Sequence, residues 1–256
     1  NLPVISMLDK EAKVNENGGK YQGQDRFEAR KNMWADMKAA CLVIKSDPYR
    51  TTIPRSQRGG EIVDARKPDS KPLSISGMDF RFDPLSQRYE AVSGVGQFGL
   101  TFDDYDNRFV CSNRNPAMHV VLEDRDLKKN PLVAVAAVST DVAKAGEASR
   151  LFPIGKPWTT SNLHAGQFTA ACGLEIYRGD ALLGAYYGNI FVCDPTTHIV
   201  HREVMKPNGV TFESSPGEQG HEFMASPDQW FSPCNLETGP DGALYVVDMY
   251  RAVIEN

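Results

Sequence analysis

The chain has 256 residues, 41% hydrophobic and 24% charged, a balance that argues against wholesale disorder and allows one large core or two small ones. Its formal net charge of −5, with no long run of Lys or Arg, disfavours nucleic-acid binding through phosphate neutralisation. No apolar run approaches the roughly 20 residues that cross a bilayer, and five cysteines without a C-x-x-C pair give no zinc spacing, no haem-attachment motif and no complete disulfide framework.

From the N-terminus, the stretch Asp25 to Glu28 has the form of a capping box, and Phe27, Met33 or Trp34, Met37, Cys41 and Ile44 recur at helical spacing. This predicts one amphipathic helix of about 18 residues, within a divergent segment 1–55. Its Met and Trp stripe reads as packing. Residues 55–71 are polar and punctuated by Gly and Pro, so a long surface connection is expected there. The stretches 128–131, 146–161 and 206–220 are likewise expected to be loops.

Between these loops lies a repeat. The segment Gly99 to Ser112 aligns without gaps with Asn235 to Asp248, matching Phe109 to Tyr245. Each copy has a short strand, an Asp/Gly/Asn turn, and an aromatic-Val strand ending in a small polar residue. A third copy runs from Gly173 to Ile176 and resumes at Asn189 to Asp194. Pairs such as Asp241-Gly242 supply the positive φ of a tight hairpin, and β-branched and aromatic residues suit its flanks. Meandering antiparallel strands at long spacing predict an all-β chain: a partial β-propeller of about three four-stranded blades over 56–256, behind the short helical segment. An ordinary antiparallel sandwich is the alternative. Both chain ends read as truncated.

The stretches Ile75 to Asp83, Gly96 to Asp103, Phe109 to Asn115, Phe168 to Asp180 and Gly239 to Glu255 carry a family resemblance. From about Ser74 onward the chain resembles the membrane-bound dehydrogenase β-propellers of planctomycete-type multi-domain haem-binding proteins, which are similar in fold to quinoprotein sugar dehydrogenases. Residues 1–52 do not share that resemblance. The resemblance implies an exported, periplasmic parent that oxidises a sugar or polyol. It also implies pyrroloquinoline quinone and calcium as cofactors, and electron transfer to cytochrome c or to a haem c domain outside this chain. The alternative is a non-catalytic propeller that binds carbohydrate or a protein partner; the fold by itself does not decide.

In an up-and-down blade, the start of strand one and the end of strand two share the face that surrounds the central channel. On that reading Gln97, His164 and Asn235 precede innermost strands, while Asn113, Arg114, Asp194, Asp248 and Arg251 follow second strands. His164 is the candidate general base, because imidazole accepts protons near neutral pH; a loop histidine bonded to backbone is its bland alternative. Arg114 and Arg251, with Gln97, are candidate cofactor ligands through bidentate carboxylate contacts. Asn113, Asp194, Asn235 and Asp248 are candidate substrate contacts, and Trp158, Trp230, Phe231 and Tyr250 would stack on sugars. Asp103, Asp104, Asp106 and Asn107 read as a hydrogen-bonded turn, since the calcium-loop Gly and Glu are absent. No metal site is expected. Cys111, Cys193 and Val247 share one apolar repeat position and read as buried core.

Overall fold

The computed structural model describes residues 42–45, 60–64, 67, 69–83, 85–86, 88–130, 132–156 and 164–252. Two compact units divide the chain, Asn1–Val92 and Ser93–Asn256. The fold is all-β and propeller-like, with several antiparallel sheets, none of them closed.

In the first unit, β1 (Leu42–Lys45), β2 (Glu61–Asp64) and β3 (Leu73–Ser74) form a three-stranded antiparallel sheet. The expected N-terminal helix lies outside the described residues, apart from its last positions, and these form β1 instead. Val43 and Ile44 are β-branched and stiff at χ1, which favours a strand once a partner is present. The partner is β2, inside the expected surface connection; its Ile62 is buried to 1% exposure. Gly and Pro on either side concealed a four-residue strand. A hairpin follows, β4 (Asp79–Asp83) against β5 (Arg88–Val92), with Phe82 opposite Tyr89.

The second unit carries the three repeats as three consecutive sheets. The first is β6 (Gly99–Phe102), β7 (Arg108–Ser112), β8 (Asn115–Val120) and β9 (Ser139–Asp141), in that order, with the short helix α1 (Asp124–Leu127) between β8 and β9. The second is β10 (Cys172–Ile176), β11 (Ile190–Asp194), β12 (Ile199–Asn208) and β13 (Thr211–Pro216), with β14 (Met224–Ala225) added to the edge of β12. The third holds β15 (Pro233–Thr238) and β16 (Leu244–Asp248), two strands among the described residues where four were expected. Residues 206–220, expected as a loop, form the outer hairpin of the second sheet. Gly209, at φ +63°, and Val210 make its turn, and the polar strands face outward, so they lack the apolar alternation that marks an inner strand.

Register confirms the repeat. Gly99 pairs with Cys111, and Asn235 with Val247, at the same point in the first and third hairpins. In the second hairpin a bulge shifts the pairing, so that Cys193 lies opposite Cys172. Bulges add local twist and re-aim a strand. Small residues then bring the innermost strands together. A Cβ on Gly99 would lie 2.6 Å from the Leu174 nitrogen, and one on Gly173 would lie 2.5 Å from the Asn235 Cα. Only glycine permits these approaches. The backbone also bonds across, Gly173 N–H to the Phe98 carbonyl at 2.9 Å and Ala171 N–H to that of Asn113 at 3.0 Å.

Apolar clusters fill the gaps between sheets. Phe109, Cys111, Leu174, Ile176 and Ile190 pack between the first and second, and Cys172, Tyr177, Phe191, Cys193 and Leu236 between the second and third. Full burial of each large side chain contributes about 1.5–3 kcal/mol. The Tyr177 hydroxyl reaches the Gly242 carbonyl and accepts from Leu182 N–H, tying the second sheet to the Asp241-Gly242 hairpin of the third. Glu175, 4% exposed, takes the Thr101 hydroxyl of the first sheet at 3.1 Å and the Thr238 hydroxyl of the third at 2.8 Å. One buried carboxylate thus bridges three blades. Cys111 and Cys193 are fully buried, as expected of their repeat position, but Val247 is 48% exposed on the third sheet, the last in the chain.

Candidate functional site

The ends of the hairpins place the candidate residues, and the first and second sheets bring several of them together. Arg114 follows β7. Its Nη2 donates to the Gln167 Oε1 at 2.9 Å, and its backbone carbonyl accepts from Gly146 N–H at 2.9 Å. Gly146 adopts φ +55°, and a Cβ there would come within 3.5 Å of Nη2. The Arg114 Nε is buried without a hydrogen-bond partner, and among the described residues no carboxylate pairs with this guanidinium. Gln97 stands beside it: its N–H donates to the Cys111 carbonyl at 2.8 Å, and its Oε1 accepts from Asn113 N–H at 3.4 Å. His164 opens the turn that delivers Gln167, whose N–H donates to the His164 carbonyl at 3.0 Å. Gln167 thus joins Arg114 to the turn that His164 opens, and Gln97 joins the neighbouring Asn113 backbone to the end of β7.

The other candidates lie apart from Arg114. Asp194 is fully buried, and its carboxylate accepts from the N–H groups of Thr169, Ala170, Thr196 and Thr197 and from the hydroxyls of Thr196 and Thr197. Both oxygens are occupied, so Asp194 clamps a loop rather than presenting itself to a ligand. Asp248 differs: it is exposed, and one oxygen, Oδ1, accepts from Ser232 N–H at 2.7 Å and Tyr250 N–H at 2.8 Å. Asn235 lies inside β15 rather than before it, with its backbone against Gly173. Arg251 is exposed, and its carbonyl accepts from the Ser232 hydroxyl at 2.8 Å. The aromatics are more suggestive. Trp230 and Tyr250, 51% and 59% exposed, stand with ring centroids 5.6 Å apart, and their N–H groups are held by Asp228 and Asp248.

Asp103 forms the hydrogen-bonded turn expected of it, accepting from the N–H groups of Tyr105 and Asn107, and Asp104 meets Arg178 at 3.8 Å and the Tyr187 hydroxyl at 2.8 Å. Among the described residues, no three His, Cys, Asp or Glu stand together as a metal site. Burial pushes the Cys172 and Cys193 thiols well above their usual range, which keeps them protonated and unreactive.

Two features escaped sequence reading. His201 on β12 is buried between Glu222, 2.6 Å from Nδ1, and Glu203, 3.1 Å from Nε2. Burial pulls its pKa down, but hydrogen bonds and charge from both carboxylates outweigh that and push it up to about 9. The imidazole is therefore a buried cation. His198, 2% exposed and at φ +59°, places Nδ1 2.6 Å from the Phe231 carbonyl and leaves Nε2 without a partner. The Glu203 and Glu222 partners lie 2 and 21 residues from His201, so no single spacing exposes the cluster.

The model of one family, described as "Domain of unknown function (DUF7133)", matches residues 52–256. The chain belongs to that family. The DUF7133 match begins near the expected boundary at residue 55 and includes all three repeat sheets. Short stretches are also similar to valine–tRNA ligases. That of Synechocystis is 49% identical over 59 residues, covering 23% of this chain and 6% of the ligase. The chloroplastic/mitochondrial valine–tRNA ligase 2 of Arabidopsis thaliana is 36% identical over 87 residues, 34% of this chain and 8% of the ligase. That of Thermotoga maritima is 34% identical over 95 residues, 33% of the chain and 11% of the ligase. The chain spans about a tenth or less of these relatives' length. No solved structure matches the chain.

Proposed function

We propose that the DUF7133 portion binds a polyhydroxylated small molecule bearing a carboxylate, such as a sugar acid, at the polar group around Arg114. The observation that carries this reading is the state of that arginine. Its guanidinium is bonded to a neutral amide, with a buried Nε left unsatisfied and, among the described residues, no acid paired to it. A partly buried cation without a counter-ion is costly, and a ligand carboxylate would supply both the missing charge and the missing acceptor. Elsewhere in the second unit, the exposed Trp230 and Tyr250 rings form an aromatic surface of the kind that stacks on sugars. Calorimetric titration of the full chain with glucuronate, glucose and sorbitol tests the reading. Glucuronate binds best, and Arg114→Ala weakens it at least about tenfold, or about 1.4 kcal/mol. Equal affinity for acid and neutral sugar, unchanged by Arg114→Ala, refutes it.

A second reading, oxidation of a sugar or polyol, draws on the position of His164 one turn from the Arg114 partner Gln167. Arg114 suits one carboxylate of a quinone cofactor such as pyrroloquinoline quinone. Calcium fits less well, since Asp194 has its oxygens occupied and the described residues contain no metal cluster. The quinone would accept the electrons and His164 the hydroxyl proton, with delivery to cytochrome c or an appended haem domain in an exported parent. Reconstitution with quinone and calcium, followed by artificial-acceptor reduction over a sugar and polyol panel, tests this. Ligand binding without turnover leaves the binding role alone.

A further inference from the structure

The chain carries two likenesses that differ in kind, and their sizes divide it. The DUF7133 match starts at residue 52. The valine–tRNA ligase matches are short, 59 to 95 residues or 23–34% of the chain. That is the size of the first compact unit, Asn1–Val92, and well below that of the second, Ser93–Asn256. Charge divides at the same place. Residues 1–92 hold 16 Lys and Arg against 13 Asp and Glu, whereas residues 93–256 hold 12 against 20 and all five histidines. All three blade repeats also begin beyond Val92, at Gly99, Gly173 and Asn235. Charge sign and repeat pattern thus change together at the boundary between the two units, and the DUF7133 match begins inside the first.

We infer that the chain is a composite. A segment of valine–tRNA ligase stock forms the N-terminal part and is joined, between residues 52 and 92, to a DUF7133 propeller of separate origin. The ligase likeness belongs to the first piece alone. The Arg114 group belongs to the second, and no tRNA chemistry attaches to it. A segment matching 6–11% of a ligase also falls far short of a whole aminoacylation site, so the full chain activates no valine.

Three measurements on the full sequence test this. Asn1–Val92 and Ser93–Asn256, compared separately with the Synechocystis and Arabidopsis ligases, place all the identity in the first; ligase identity beyond Val92 overturns the inference. Hydrogen exchange of the full chain, read by mass spectrometry, compares Ile62→Ala with Phe191→Ala, two buried positions in different units. Each substitution lowers protection only in its own unit; loss of protection across both marks a single cooperative domain and overturns independent origin. Valine-dependent ATP–pyrophosphate exchange stays at background, and exchange above background overturns the statement that the ligase piece is inert. If neither variant folds, the two separate comparisons still decide.

Discussion

Stability should fall as pH rises from 6.5 to 9, because the His201 imidazolium is locked between two buried carboxylates. Glu222 also accepts from Phe152 N–H at 2.8 Å, and Glu203 from the Ser214 hydroxyl at 2.8 Å, so both are fixed by separate segments. The folded-state pKa is raised from 6.5 to about 9. A raised histidine contributes stability that is fully present below the unfolded value of 6.5 and is lost as pH climbs through the folded value. The shift corresponds to about 3 kcal/mol at 1.36 kcal/mol per pH unit. With a urea m-value of about 2 kcal/mol/M, the unfolding midpoint should drop by about 1.5 M across that window. His119 works on the other side. Burial lowers its pKa against the opposing charge of Asp103, so its contribution fades as pH falls below 6.5. Urea titrations from pH 5.5 to 9.5 should therefore show a maximum near pH 6.5. His201→Ala should lower that maximum by about 3 kcal/mol or more, through two carboxylates left buried without their cation, and flatten the alkaline limb. A wild-type midpoint that stays level between pH 6.5 and 9 would refute the buried ion cluster.

Three further outcomes follow from packing. Gly173→Ala places a Cβ 2.5 Å from the Asn235 Cα at φ +61°, whereas Gly209→Ala meets open space at φ +63°. Thermal unfolding should show about 1–2 kcal/mol lost at Gly209 from backbone strain alone, and clearly more at Gly173, where backbone must move. Glu175→Ala should cost about 2–3 kcal/mol by stranding the Thr101 and Thr238 donors, with Glu175→Gln milder. Burial raises the Glu175 pKa, although the threonine bonds oppose it. Its contribution is therefore present below 4.5 and lost as pH rises above that value, and Glu175→Gln should abolish this step in acid titrations. His198→Asn should cost about 1–2 kcal/mol, because a smaller side chain replaces a buried ring. Asparagine tolerates positive φ and can keep a donor toward the Phe231 carbonyl. A loss above about 4 kcal/mol would contradict this reading.

The hairpins were legible because their causes are local. The Asp103 turn, the Asp241-Gly242 turn and the aromatic-Val strands after them follow from neighbouring residues, and the Gly99, Gly173 and Asn235 repeats locate three sheets. Local rules failed where apolar alternation was missing. The β2 strand sits among Gly and Pro, and β13 is polar because it lies on the outside of its sheet. Of the candidate site, Arg114 does meet the His164 turn, and Gln97 the Asn113 backbone. Asp194 and Asp248 have the position expected of them, but the Asp194 carboxylate is occupied by backbone and hydroxyl donors, and position along a strand cannot reveal that.

What the sequence determined by itself was strand content, turn placement and the repeat, since side-chain alternation and φ preferences act between near neighbours. What only the tertiary structure decided was which polar groups face one another. Arg114 meets Gln167 across 53 residues, His201 meets Glu222 across 21, and Glu175 joins Thr101 and Thr238 across 74 and 63. The Glu175 contacts arise from the stacking of one blade on the next through Gly99 and Gly173, and the His201 contact from the return of the chain to the edge of β12. Burial then makes them count, because in the interior an unpaired donor or charge has no water to turn to.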